Sequence, residues 1–286
     1  MRVRTLVILS AVLLTSAPSV RADTDAETVH FPSEDGRTKL VGYLFHPSGG
    51  GRHAAVVLLH GRAGPYSSLA KGRYAASTLS KRHKKWGAFW ASRGYVALLV
   101  DSFGSRGFPE GFGRGSYADR PAEVSEQSVR PLDAYGGLRY LRTRKDVDPS
   151  RVGVQGWSNG GMTVLVTMSE KSPGILNASP ETGFRAALAL YPGCRMEAVQ
   201  GAYRPYAPLE MLIAGADEEV SPEACEKFAK KAREAGASLQ YHVYPGAEHN
   251  FDDPGQKKQS IPANEVATED AMRRAEKFFG EHLSAR

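Results

Sequence analysis

Apolar residues in this chain arrive in short, regularly punctuated runs, and the period of each run predicts an element. Residues 38–47 (TKLVGYLFHP) alternate apolar with polar, as an early antiparallel strand does. Residues 53–61 (HAAVVLLHG) form a continuous apolar run ending in glycine, the pattern of a strand buried on both faces. Leu79, Trp86, Phe89 and Trp90 then recur at helical spacing, with Gly94 as a stop, before a second buried strand at 95–101 (YVALLVD). Residues 102–120 (SFGSRGFPEGFGRGSYADR) lack any period and read as a long loop, followed by a helix over about 121–144. A strand at 151–156 (RVGVQG), a helix at 159–170 and strands at 185–193 (RAALALYPG) and 207–217 (APLEMLIAGAD) come next. Ser221 as N-cap, Pro222 in the first helical position, Glu223 in the first turn and Gly236 as the stop bracket another helix. A last strand at 238–246 (SLQYHVYPG) and an amphipathic helix at 264–284 close the chain.

Strands alternating with helices imply an α/β fold whose central sheet is mostly parallel, with helices on both faces. No internal repeat or Pro/Gly/Ser linker divides residues 23–286, so one domain is expected there. Residues 1–22 are set apart. A basic start (MRVR), an apolar stretch (TLVILSAVLLTSA) and small residues before Asp23 read as a signal peptide cut after Ala22, and so as an exported protein, periplasmic or secreted. Losing Arg2, Arg4 and Arg21 lowers the formal charge from +6 to +3. That charge is small and scattered, with no basic run interleaved with aromatics, so no nucleic-acid partner is expected. Beyond the leader no apolar stretch reaches the roughly 20 residues a membrane span requires. Two cysteines remain, Cys194 and Cys225, either a disulfide or two buried thiols.

In open parallel sheets ligands bind at the carboxyl ends of the strands, so the residues just after each strand carry the chemistry. Reading those positions in order gives His60-Gly61-Arg62, Asp101, Ser158, Asp217 and His249. Ser158 sits in Gly156-Trp157-Ser158-Asn159-Gly160, between a strand and a helix. Serine, aspartate and histidine in that chain order, at one sheet edge, is the order of an α/β-hydrolase triad. A serine hydroxyl is a weak nucleophile at neutral pH, so His249 is expected to take its proton while Asp217 holds the imidazole tautomer. Glu218 and Glu219 adjoin Asp217 as rival acids. The backbone N–H groups of Asn159 and Arg62 are the expected oxyanion donors. His60 is read as structural support for the second of these. No His/Cys/Asp cluster has metal-ligand spacing, and no cofactor is expected.

At this point the chain resembles the dienelactone hydrolase family of α/β-hydrolases. The resemblance spans nearly all of residues 23–286 and is carried by VVLLHGRAG, WASRGYVALLVDSFGSRG, DPSRVGVQGWSNGG, LYPGC, IAGADEEVSPEAC and YPGAEHNFDDP. It implies Ser158 as nucleophile, Asp217 as acid and His249 as base. The namesake enzymes use cysteine where this chain has Ser158, and carry a glutamate in the loop that here reads HGRAG. The resemblance therefore implies a serine hydrolase of small-molecule carboxylic esters or lactones, not a dienelactone specialist. The alternatives are acyl transfer through the same triad or a non-catalytic binding protein. The implied fold makes the strands preceding Cys194 and Cys225 neighbours, so a disulfide between them is expected. Phe103, Arg106 and Phe108, in the 102–120 loop, are candidate substrate contacts, and Arg62 or Arg106 could serve an anionic substrate.

Overall fold

The computed structural model describes residues 26–196 and 202–285. In chain order it contains β1 (Glu27–Pro32), β2 (Lys39–Phe45), β3 (His53–Leu59), α1 (Lys81–Ser92), β4 (Val96–Asp101), α2 (Arg130–Thr143), β5 (Val147–Trp157) and α3 (Asn159–Thr167). These are followed by β6 (Ala187–Leu190), β7 (Leu209–Ala214), α4 (Pro222–Glu234), β8 (Leu239–Tyr244), α5 (Gln256–Gln259) and α6 (Pro262–His282). All eight strands join one sheet in the order β1-β2-β4-β3-β5-β6-β7-β8. β1 and β2 are antiparallel and β2 is antiparallel to β4, while every later pairing is parallel.

Strand alternation divides the core in two. Along β3, Ala55, Val57 and Leu59 enter one cluster with Leu138 of α2, Leu165 of α3 and Ala229 of α4. Val56 and Leu58 point the other way, into a cluster with Trp86 and Trp90 of α1 and Phe279 of α6. With helices covering both faces, the central strands have no wet side, and the continuous apolar runs follow from that.

Ser221 caps α4 by accepting from the Ala224 N–H (3.1 Å), and Gly236 follows at φ 84°. Ser80 caps α1 and Gly94, at φ 81°, follows its end. The expected helix over 121–144 is a correction. Only α2 forms, preceded by short 3₁₀ turns at Tyr117–Asp119 and Ala122–Val124. Pro131 lies at the start of α2, where its missing N–H is harmless. In the interior of a longer helix it would have broken the ladder. β1 and the four-residue α5 were not anticipated; β1 turns only Val29 and Phe31 inward, too short a pattern to stand alone.

No helix among the described residues is long and apolar enough to cross a membrane. The expected leader, residues 1–22, lies outside the described residues.

Candidate active site

Ser158 stands between β5 and α3 with φ 54° and ψ −117°, a backbone conformation disfavoured for a residue with a Cβ. Its flanking glycines make the turn feasible. A Cβ on Gly156 would strike the Gly160 carbonyl, and one on Gly160 would strike the Leu59 carbonyl at the end of β3. The Ser158 N–H donates to the Leu190 carbonyl of β6 (3.0 Å), and the Ser158 carbonyl accepts from the Met162 N–H (2.9 Å). The strained residue is thus fixed from the neighbouring strand β6 and from the helix it starts.

From there the side chains run in series. Ser158 Oγ lies 2.9 Å from His249 Nε2, and Asp217 Oδ2 lies 2.7 Å from His249 Nδ1. His249 and Asp217 are each buried to about 1% side-chain exposure. Asp217 Oδ1 accepts the backbone N–H groups of Glu219 (2.8 Å) and Val220 (2.9 Å), which orients the carboxylate. Glu218, one of the rival acids, accepts the His249 backbone N–H (2.9 Å) and so holds the segment rather than the ring. An imidazole between a hydroxyl and a carboxylate can take a proton from the first and share its other N–H with the second.

A second set of groups fixes the His249 segment from below. Asn250, at φ 59°, accepts from Arg82 of α1 (2.6 Å), which also donates to the Tyr191 hydroxyl (2.8 Å). Tyr191 donates to Asp252 (2.5 Å), and its ring meets the His249 ring edge-on at 4.9 Å. Sequence reasoning missed this group. The strand-end rule would have flagged Tyr191, which directly follows β6 and is itself at φ 36°.

The loop after β3 presses on the serine turn. The Gly61 Cα sits where a Cβ would come 3.4 Å from the Ser158 Cβ. His60 is fully buried, its Nδ1–H donating to the Gly61 carbonyl (2.7 Å) while Nε2 accepts the Ser102 N–H (3.2 Å). Burial, then the nearby Arg130 guanidinium, holds this ring well below the ordinary imidazole value, so it is a neutral strut. Arg62 and Asn159 both line the cleft beside Ser158. Asn159 is the first residue of α3, so its N–H has no intrahelical acceptor. The Arg62 side chain forms a two-pronged bond to Glu219 (2.9 and 2.9 Å) and also donates to the Phe112 carbonyl.

The cleft over Ser158 measures about 310 Å³, within the range of small-molecule sites. Met162, Tyr117 and Cys194 give it apolar surface; Arg114, Arg120 and Arg195 also line it. The expectation for Phe103 and Arg106 is corrected. Phe103 is fully buried, its ring under His60 (4.5 Å) with the Arg130 guanidinium over it (5.0 Å). Arg106 is bound to Asp133 (2.8 Å) and Asp35 (2.9 Å) and keeps only 7% side-chain exposure. Both shape the floor of the 102–120 loop, and neither lines the cleft. Cys194 and Cys225 form the expected disulfide, with Cα atoms 5.0 Å apart, joining the segment after β6 to the first turns of α4. Among the described residues no cluster of His, Cys, Asp or Glu is arranged to hold a metal ion.

The model of the dienelactone hydrolase family matches residues 41–283. Human dipeptidyl peptidase 8 is 31% identical over 166 residues, 57% of this chain but only 17% of that protein's length. An uncharacterised protein of Mycobacterium tuberculosis is 26% identical over 228 residues, covering 76% of this chain and 70% of its own. Among solved structures, a dienelactone hydrolase-like promiscuous phosphotriesterase from metagenomic libraries superposes with a TM-score of 0.65 at 20% identity, covering 91% of this chain and 98% of that one. An esterase of Thermogutta terrifontis gives 0.63 at 19% identity, covering 92% and 98%. Likeness at such identities shows the shared fold.

Proposed function

Because the chain belongs to the dienelactone hydrolase family, we propose that it is a serine hydrolase that cleaves carboxylic esters or lactones of small molecules through an acyl-enzyme. The observation that carries this reading is the buried relay Ser158 Oγ–His249 Nε2 (2.9 Å) and His249 Nδ1–Asp217 Oδ2 (2.7 Å) on a strained serine turn. In this reading His249 Nε2 takes the hydroxyl proton as Ser158 Oγ bonds to the substrate carbonyl carbon. The backbone N–H groups of Asn159 and Arg62 receive the negative oxygen of the tetrahedral species. The C–O bond to the leaving alcohol then breaks, and that oxygen takes the proton from Nε2. Water repeats the cycle on the acyl-enzyme: His249 removes its proton, the acid departs and Ser158 regains its hydrogen. In a lactone the leaving alcohol stays tethered to the acyl group.

The same reading treats residues 23–286 as one domain of an exported protein, processed after Ala22. The Cys194–Cys225 bridge supports it, since disulfides persist in oxidising compartments. A fluorophosphonate probe is expected to label the wild type covalently and to leave Ser158→Ala unlabelled. In parallel, a panel of p-nitrophenyl esters and lactones should show hydrolysis lost by a factor of about 10³ or more in that variant. Equal labelling of the two proteins sinks the proposal.

A further inference from the structure

The site holds a carboxylate that the triad does not use. Glu219 Oε2 accepts from Arg62 Nε at 2.9 Å and lies 3.8 Å from His249 Nε2, on the side of the ring that faces Ser158. Its second oxygen accepts from Arg62 Nη2, also at 2.9 Å. Glu219 thus joins two parts of the site: its carboxylate accepts from Arg62 of the loop after β3, and its backbone N–H donates to Asp217. Its surroundings favour the ionised form. Burial works against that charge, but the Arg62 hydrogen bond, then the nearby His249 and the Arg62 and Arg114 guanidinium groups, hold the carboxyl below its ordinary value.

We propose that Glu219 is a positioning residue for catalysis: its charge, metered by Arg62, steadies the imidazolium that forms when His249 takes the Ser158 proton. The geometry divides the task. Asp217 serves Nδ1 and sets the tautomer; Glu219 faces Nε2, the atom that receives and returns the proton. A bare carboxylate in the cleft that Ser158 also lines would oppose an oxyanion there. The two-pronged Arg62 bond offsets that repulsion while leaving part of the attraction for the ring. Arg62 also belongs to the loop pressed against Ser158, so the same pair ties that loop to the residues after β7.

Other groups around the ring act on different atoms. Glu218 accepts the His249 backbone N–H and is itself 3.5 Å from Lys258, and Arg114 donates to the Glu218 carbonyl. Arg82 reaches Asn250 and Tyr191, with Asp252 at 3.8 Å, beneath the ring's far edge. Glu219 is the carboxylate at Nε2.

This inference rests on the triad reading, so its test has a readout that needs no turnover: NMR titration of the His249 ring in the full chain, beside the pH profile of kcat/KM. In Glu219→Gln the midpoint is expected to move to lower pH by about half a unit or more, because imidazolium loses an attracting charge. In Arg62→Gln it is expected to move to higher pH, because Glu219 loses its counter-charge. The acid limb of kcat/KM should follow both, and Glu219→Gln should lose roughly threefold or more in the pH-independent rate, as a shift of half a unit or more implies. Thermal melting guards against misfolding; should Glu219→Gln not fold, Glu219→Asp replaces it, with a smaller shift in the same direction. A merely structural ion pair would leave the pH-independent limit of kcat/KM unchanged in a folded variant. A midpoint that stays within about 0.2 units of wild type in either variant, or moves the same way in both, overturns the proposal.

Discussion

The two walls of the cleft are built on different physics. One wall follows β6 and β7 and enters α4, and the Cys194–Cys225 disulfide stitches it together. The other is the irregular stretch from 102 to 129, where charge takes the place of secondary structure. Arg106 clamps Asp133 and Asp35 beneath it, and Arg120 and Arg130 converge on the buried Glu126 (2.7 and 3.7 Å). The covalent wall should ignore salt and acid but yield to a reductant; the ionic wall should do the reverse.

The largest effect should come from breaking the ionic wall at its base. Arg106→Met leaves Asp133, fully buried, without its cation, and such an orphaned charge typically costs about 3–5 kcal/mol. The urea midpoint should fall accordingly. A variant that unfolds within error of wild type would mean that the loop is not held by this clamp.

Next comes the covalent wall. Cys194 and Cys225 are 31 positions apart, and opening a loop of that length by replacing both with serine should lower stability by about 2–4 kcal/mol. A thiol reductant should produce the same loss in the wild type and none in the double variant. If reduction leaves the melting temperature unchanged, the bridge contributes nothing and the contrast between the walls disappears.

The smallest effect is a titration. Burial alone would raise the Asp35 carboxyl, but the Thr38 hydroxyl, two backbone N–H groups and Arg106 outweigh it and hold Asp35 well below its ordinary value of 3.8. A depressed acid contributes stability that is complete above that ordinary value and fades as pH falls toward the folded one. Asp35→Asn should therefore melt roughly 2–4 °C below wild type at pH 7, with the gap beginning to narrow only below about pH 3.8 and shrinking further as the buffer is made more acidic. A gap of constant size would assign the loss to packing instead of charge.

The same contrast explains what the chain disclosed in advance. The parallel sheet was legible because strands buried on both faces leave unbroken apolar runs, as at Val56–Leu59 and Val96–Val100. Ser158, Asp217 and His249 were legible because sheet topology fixes which positions meet, and the structure brings those three into line. The ionic wall was opaque. Arg106 looked like a free loop arginine because its partners, Asp35 and Asp133, lie 71 and 27 residues away, and no local period encodes such pairing. Phe103 looked like a substrate contact for the same reason: a loop residue shows its burial only once the strands beneath it are placed. Glu219 was visible only as a rival to Asp217. Its distinct place depends on Arg62, 157 positions earlier.

The contact between Gly160 and the end of β3 carries a consequence for anyone rebuilding this enzyme. Because the helix start at Gly160 rests directly on main-chain oxygens of Leu59 and His60, the Ser158 turn and the HGRAG loop form a lock with no adjustable side chain between them. A transplant of either segment alone into another scaffold would inherit a mismatch that no rotamer could absorb. The two must travel together.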